Sequence, residues 1–253
     1  CGCLFAELKT LNLAKQICDA EVVTYRQREK DKLFLDDVLQ EQSSKQNLEN
    51  IIFVISWGFD IAKLAPRLKS YNVVYHAHSA GYGFKLPGSI PIITVSRNTL
   101  GYWGQLSPHS LIYYLPNQIS DEFNNQNLER DIDVLVLARK SSEYLMQDLV
   151  PALKQKCKLE LVDYFIEDIA AIFNRSKIYI YDSAEYWAQQ QVTEGFGLQP
   201  MEAAACGCRV FSSLNGGLSD YLDPGFNCYK IAVYSKEYDM QRILKVLDNW
   251  SPL

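Results

Sequence analysis

The run Glu194-Gly195-Phe196-Gly197-Leu198-Gln199-Pro200-Met201-Glu202 continues as Ala203-Ala204-Ala205-Cys206-Gly207-Cys208-Arg209-Val210, and it sets two carboxylates eight positions apart across a glycine-bearing turn. Gly195 and Gly197 have no Cβ, so the backbone there can come close to another group. Pro200 suits the first helical position, where its missing N–H would find no acceptor, and Gly207 is a natural helix terminator. The spacing predicts a short helix over residues 200–206 with Glu202 in its first turn. The N-terminus of such a helix carries unpaired N–H groups and about half a positive charge, which makes it an anion-binding end. For Glu202 two readings stay open: a ligand-binding carboxylate, or ordinary first-turn capping worth ~0.3–1 kcal/mol.

Working outward, strands and helices alternate on both sides of this run. Leu4, Leu8, Leu11, Ala14 and Ile17 recur at helical spacing, and Glu21-Val22-Val23-Thr24-Tyr25 reads as a strand. Further strands are expected at 51–56, 73–78, 90–96 and 111–115, with helices at 60–70 and 98–105. After the polar stretch 121–131 the pattern restarts: strand 134–137, helix 144–154, strand 159–162, helix 167–174, strand 178–181, then the opening run, strand 209–212, a turn at 215–217 and a last helix at 235–250. Such alternation implies α/β architecture with parallel sheets. The chain is expected to form an amino-terminal domain over 1–125 and a carboxyl-terminal domain over 126–253. The tract 27–50 is polar and gives no clear element.

Composition narrows the class. The chain has 253 residues, 48% of them apolar and 22% charged, a soluble globular balance. No apolar run approaches the ~18–20 residues needed to cross a bilayer, no secretory signal is recognisable, and a cytoplasmic protein is expected. The net charge of −5 argues against a broad nucleic-acid footprint. Seven cysteines, with Cys1/Cys3 and Cys206/Cys208 one residue apart, lack the spacing of structural zinc knuckles and read as reduced thiols.

The opening run closely resembles the signature of the retaining GT-B glycosyltransferases of family 4: a glutamate, a Gly-Phe-Gly turn and a second glutamate on the next helix. The resemblance implies two Rossmann-like domains facing a cleft, an acceptor-side amino-terminal domain, and a carboxyl-terminal domain that holds a nucleoside-diphosphate sugar. Glu194 would then meet the donor sugar and Glu202 the ribose hydroxyls, with Gly195, Phe196, Gly197 and Leu198 facing the sugar and diphosphate. Asn215-Gly216-Gly217 is similar to the family loop whose amides approach the donor phosphate, although as a plain turn it needs no function. The terminal helix would cross back between the domains. Cys1-Gly2-Cys3 looks like the glycine loop that follows the family's first strand, so the amino-terminal domain is expected to lack that strand and to leave a sheet edge open.

Three further segments fit less closely. His76-Ala77-His78-Ser79-Ala80-Gly81-Tyr82-Gly83 ends an apolar strand, and its period of two puts both histidines on one face. A metal pair, a pair of ordinary core histidines and the family's donor-sugar histidine at His78 are all readings of it; with no acidic partner in the motif, no metal is expected. Arg139 and Lys140 follow strand 134–138 where the family has an arginine and, several residues on, a lysine that together neutralise the diphosphate. Here they are adjacent, and on an extended backbone adjacent side chains point apart, so Lys140 reads either as a phosphate ligand or as a solvated charge. Ser96, at the end of its strand, reads as a family residue or a helix cap.

The implied activity is retaining transfer of a sugar from a nucleoside-diphosphate sugar, with His78 and Glu194 as the catalytic pair and no cofactor. The alternative is a catalytically inactive nucleotide-sugar-binding protein or a partner subunit of another glycosyltransferase. Expected partners are the donor and a sugar, lipid or small-molecule acceptor, with room for a peripheral membrane contact and none for nucleic acid.

Overall fold

The computed structural model describes residues 2–43, 50–231 and 234–253. They divide into two compact units: one holds residues 1–78, 83–94 and 100–115, the other 79–82, 95–99 and 116–253.

The first unit begins with helix α1 (Gly2–Ala14), followed by strands β1 (Val23–Thr24) and β2 (Leu33–Phe34), which pair parallel, and helix α2 (Leu35–Ser43). The polar tract that gave no element thus carries β2 and α2, with residues 44–49 outside the description. Gly2 and Cys3 lie in α1 rather than in the expected loop, because nothing at Gly2 breaks the helical path; Cys1 is outside the described residues. The apolar repeat along α1 does not mark a buried face. Leu4, Phe5, Leu8 and Leu13 are all exposed, and Ala6 is the buried residue. Next come β3 (Ile52–Ser56), α3 (Ile61–Arg67), β4 (Asn72–Ala77), β5 (Ile92–Thr94), α4 (Arg97–Leu106) and β6 (Ile112–Tyr114). Strands β3 to β6 form a parallel sheet in sequence order, with β3 at one edge and its Ile52 and Val54 exposed. Tyr75 and Trp103, both fully buried, meet edge to face at 5.0 Å and anchor the core of this unit.

The second unit contains β7 (Ile132–Leu137), a π-helical stretch (Tyr144–Leu149) running into α5 (Val150–Lys154), β8 (Leu159–Val162), α6 (Ile169–Asn174), β9 (Ser176–Tyr181), α7 (Ala184–Gln189), α8 (Leu198–Ala205), β10 (Arg209–Ser212), a 3-10 turn (Gly216–Asp220), β11 (Tyr229–Lys230) and α9 (Lys236–Asp248). Its five parallel strands stand in the order β11-β10-β9-β7-β8. Strand alternation sends Leu135, Leu137, Tyr179 and Tyr181 to one face, against Phe173 of α6 and Ala203 of α8, and Val134, Val136, Ile178 and Ile180 to the other, against Leu145, Leu149, Leu153 and Ile243. A sheet buried on both faces needs apolar residues at every position, which is why these strands are unbroken apolar runs. From β7 the chain moves outward to β8 and then crosses to the far side of β7 to form β9. The carboxyl ends of β7 and β9 therefore flank a topological switch point, where open α/β sheets leave a ligand crevice. Among the described residues no helix is long and apolar enough to cross a membrane.

Candidate donor site at the carboxyl ends of the second sheet

Glu194 is buried beside this switch point. Its Oε2 accepts hydrogen bonds from the Tyr181 hydroxyl at the end of β9, from Trp187 Nε1 of α7 at 2.7 Å and from Ser183 Oγ at 3.5 Å, and Lys140 Nζ stands 3.8 Å away. Lys140 also lies over the Trp187 ring, 4.4 Å from its centroid. It is therefore not a solvated charge. The extended-backbone argument fails because Lys140 has φ of +71°, a left-handed turn that swings its side chain toward Glu194. Arg139 is exposed and makes no hydrogen bond or ion pair among the described residues. The loop after β7 is tied to the end of β9: Ser142 donates from its hydroxyl to Asp182 Oδ2 at 2.6 Å and from its N–H to the Asp182 carbonyl at 3.0 Å. Burial raises the Asp182 carboxyl above the usual range, and the Ser142 and Ser213 hydroxyls oppose the rise.

The Gly-Phe-Gly turn is packed against the Gly216-Gly217 turn. A Cβ on Gly216 would sit 2.2 Å from the Glu194 carbonyl oxygen, and one on Gly217 2.1 Å from that of Gly195. Gly217 N–H donates to the Glu194 carbonyl at 2.8 Å. A Cβ on Gly197, φ +80°, would meet Leu218 Cδ2 at 2.3 Å. These glycines are required first by the close passage of two loops. Phe196 is buried 5.4 Å from Tyr221, whose hydroxyl bonds the Gly197 carbonyl.

Helix α8 starts at Leu198, two residues earlier than predicted, with left-handed Gly197 as its N-cap. Pro200 is thus the third helical residue, which costs nothing because N–H groups of the whole first turn lack helical acceptors. Glu202 consequently lies in the second turn, so simple first-turn capping is not its role. Burial, and after it the charges of Glu194 and Glu202, push the Tyr221 hydroxyl well above its usual pKa. The two glutamates therefore act on one neighbourhood. Gly207 ends the helix in the left-handed region as predicted.

Segments 79–82 and 95–99 complete this unit. Ser79 Oγ donates to the Thr193 carbonyl at 2.5 Å, and Thr193 N–H donates to the Ala80 carbonyl at 2.9 Å. A Cβ on Gly81, φ +104°, would collide with the Gln191 carbonyl oxygen at 2.4 Å. The glycine loop after β4 thus supports the backbone leading into Glu194. Ser96 is a helix cap: its Oγ accepts from Thr99 N–H at 3.1 Å. The Arg97 N–H, at the same helix start, donates to Asp220 at 2.7 Å.

His78 lies in the first unit, buried, with Nε2 2.5 Å from Glu7 Oε1; His76 Nδ1 is 2.7 Å from the same oxygen. The acidic partner that the motif lacks comes from α1. Burial lowers the His78 pKa, and Glu7 opposes it.

Sequence reasoning missed Tyr181, Trp187 and Asp182. Tyr181 and Trp187 carry polar tips on large apolar bodies, and such groups seek a partner when buried. A cavity of about 920 Å³ in the second unit lies elsewhere, between Tyr144, Ala184 and Tyr234. Glu143, Asp148, Glu185 and Glu237 line it, a wall that repels a diphosphate.

The profile of the family described as glycosyl transferases group 1 matches residues 117–252. The chain belongs to that family. No curated protein matches its sequence. Among solved structures, HepE (Alr3699) of Anabaena in complex with UDP is similar at 14% identity and a TM-score of 0.64, over 96% of this chain and 86% of that one. A glycosyltransferase of Rickettsia africae is similar at 14% identity and a TM-score of 0.60, over 95% of this chain and 78% of that one. Sucrose-phosphate synthase of Thermosynechococcus elongatus gives 14% identity and a TM-score of 0.58, over 84% and 68%. At such identities the likeness is one of fold, and the group 1 chain has the parallel-sheet units of a GT-B glycosyltransferase.

Proposed function

We propose that the chain is a retaining, family 4 glycosyltransferase that moves a sugar from a nucleoside-diphosphate sugar to an acceptor. The observation that carries this reading is the buried Glu194 carboxylate, fixed by Tyr181, Trp187 and Lys140 at the switch point beside the start of α8. Similar structures hold UDP, UDP-glucose, or UDP with N-acetylglucosamine, and a uridine nucleotide is the first donor to try.

In this reading the leaving diphosphate meets the N–H groups of α8 and of the Gly195–Leu198 turn, with Arg139 and Lys140 supplying positive charge as the glycosidic bond breaks. The Gly216-Gly217 turn holds the first loop in place and offers further amides. Glu202 takes the ribose hydroxyls. Glu194, with Oε2 already held by its own protein, presents Oε1 to the donor sugar. His78, whose Nε2 faces Glu7, would meet a sugar hydroxyl through Nδ1. These groups orient the donor, and the acceptor attacks from the face the diphosphate leaves, so no protein nucleophile is assigned. The charge stabilisation calls for no cofactor, and the location proposed is the cytoplasm.

One observation favours a second reading. Lys140 spends its charge on Glu194, which suits a protein that binds a nucleotide sugar without turning it over, such as a partner subunit; a GtfA/B complex is among the similar structures. A thermal-shift screen of nucleoside diphosphates and their sugars, followed by an assay of nucleoside diphosphate release with sugar acceptors, separates the two. A transferase releases diphosphate only with acceptor and loses that release in Glu194→Ala while still binding nucleotide. Binding without release supports the second reading, and binding of no nucleotide removes both.

A further inference from the structure

We propose that Glu7, His76 and His78 form a binding site for a divalent transition-metal ion, Zn²⁺ or a cation of similar ligand preference. The proposal rests on the first unit alone and does not depend on the transferase reading. Strand periodicity at the end of β4 puts the two imidazoles on one face with ring centroids 4.2 Å apart, and α1 lays a carboxylate across them. The three donor atoms lie within 4.8 Å of one another. Two imidazole nitrogens with one carboxylate oxygen suit zinc and its first-row neighbours, whereas magnesium and calcium take oxygen ligands.

Geometry and burial fit such an ion. A tetrahedral ion with bonds of ~2.0–2.1 Å keeps its ligands about 3.3 Å apart. Glu7 Oε1, now 2.7 and 2.5 Å from the two ring nitrogens, needs to withdraw by less than about 1 Å to admit it. The histidine side chains are 4% and 2% exposed and that of Glu7 is 23%, so solvent reaches the cluster through the carboxylate, and a water from that side could serve as fourth ligand. His76 meets Glu7 through Nδ1, so Nδ1 is the nitrogen that would ligate, and its buried Nε2, on the far side of the ring, is not among the three donor atoms. The ion also has structural work to do. With Leu4, Phe5, Leu8 and Leu13 of α1 exposed, the Glu7 contact is a conspicuous tie between that helix and the end of β4. Metal coordination would replace two hydrogen bonds by three bonds to one centre and pin α1 there.

The test uses Zn²⁺ alone with chain stripped by a chelator. We expect one tight Zn²⁺ per chain by calorimetric titration, a rise in melting temperature reversed by chelator, and affinity lowered at least about tenfold in His76→Gln, His78→Gln and Glu7→Gln. With Co²⁺ the visible bands should come without an intense near-ultraviolet thiolate band. Because those variants can fail to fold, the wild-type chain gives a second readout: it has three histidines, and Zn²⁺ should shift the ring signals of His76 and His78 in a histidine-selective nuclear magnetic resonance spectrum and leave His109 in place. No Zn²⁺ binding, binding unchanged in the folded variants, a thiolate band, or unmoved His76 and His78 signals would each overturn the proposal and leave a carboxylate simply hydrogen-bonded to two imidazoles.

Discussion

Replacing Gly217 by alanine isolates the close passage of the two loops that build the candidate donor site. Its Cβ would lie 2.1 Å from the Gly195 carbonyl oxygen and 2.9 Å from Phe196 Cα, both backbone atoms that no side-chain rotation can move aside. Gly217 does not have positive φ, so alanine is compatible with its local conformation and the whole cost is steric. Overpacking of this kind costs about 1–3 kcal/mol. The 2.8 Å bond from Gly217 N–H to the Glu194 carbonyl would stretch as the loops part, at about 1 kcal/mol more. The sum is about 2–4 kcal/mol, measurable by urea unfolding. Gly225 is the control: its φ is +88° and nothing lies within 4 Å of an added Cβ, so alanine there costs only left-handed strain of about 1–2 kcal/mol. Nucleoside diphosphate binding should weaken at least about fivefold in Gly217→Ala, equivalent to ~1 kcal/mol, and stay unchanged in Gly225→Ala. A Gly217→Ala protein as stable as wild type, or less perturbed than Gly225→Ala, would refute the packing argument.

Trp187→Phe removes the 2.7 Å indole bond to Glu194, a hydrogen bond to a charged group worth about 1.5–3 kcal/mol, while keeping a ring beneath Lys140; unfolding free energy and diphosphate release should both fall. Arg130 donates to the carbonyls of Phe173, Ser176 and Cys206, so Arg130→Ala removes three buried hydrogen bonds from a charged donor and should cost about 3 kcal/mol or more in the same unfolding assay. Burial pushes the Cys206 thiol to about 11 and Cys208 to about 12, which leaves a thiolate fraction of roughly 0.1% or less at pH 8; iodoacetamide should modify exposed Cys18 well before these two, which it should reach only on unfolding.

The second unit was legible because both of its sheet faces are covered. Val134 to Leu137 and Ile178 to Tyr181 had to be apolar at every position, and every strand predicted there is found. The α1 repeat gave the helix, found at Gly2–Ala14, but not its burial: periodicity reports a face able to be buried, and Leu4 and Leu8 meet solvent. Helix α8 began early because a left-handed glycine cap set its start instead of the proline. Lys140 was undecided in sequence because its direction depends on one positive φ. Glu7 and Trp187 could not be paired with His78 and Glu194 from spacing, since the contacts depend on how α1 and α7 pack.

Calorimetric titration of UDP into the wild-type chain and into Glu202→Ala tests the account most directly. Saturable binding of one UDP per chain, weakened at least about tenfold by the substitution (~1.4 kcal/mol), is the predicted result. Absence of UDP binding at millimolar concentration, or equal binding by both proteins, would contradict the assignment of the paired glutamates and the start of α8 to a nucleotide-sugar donor.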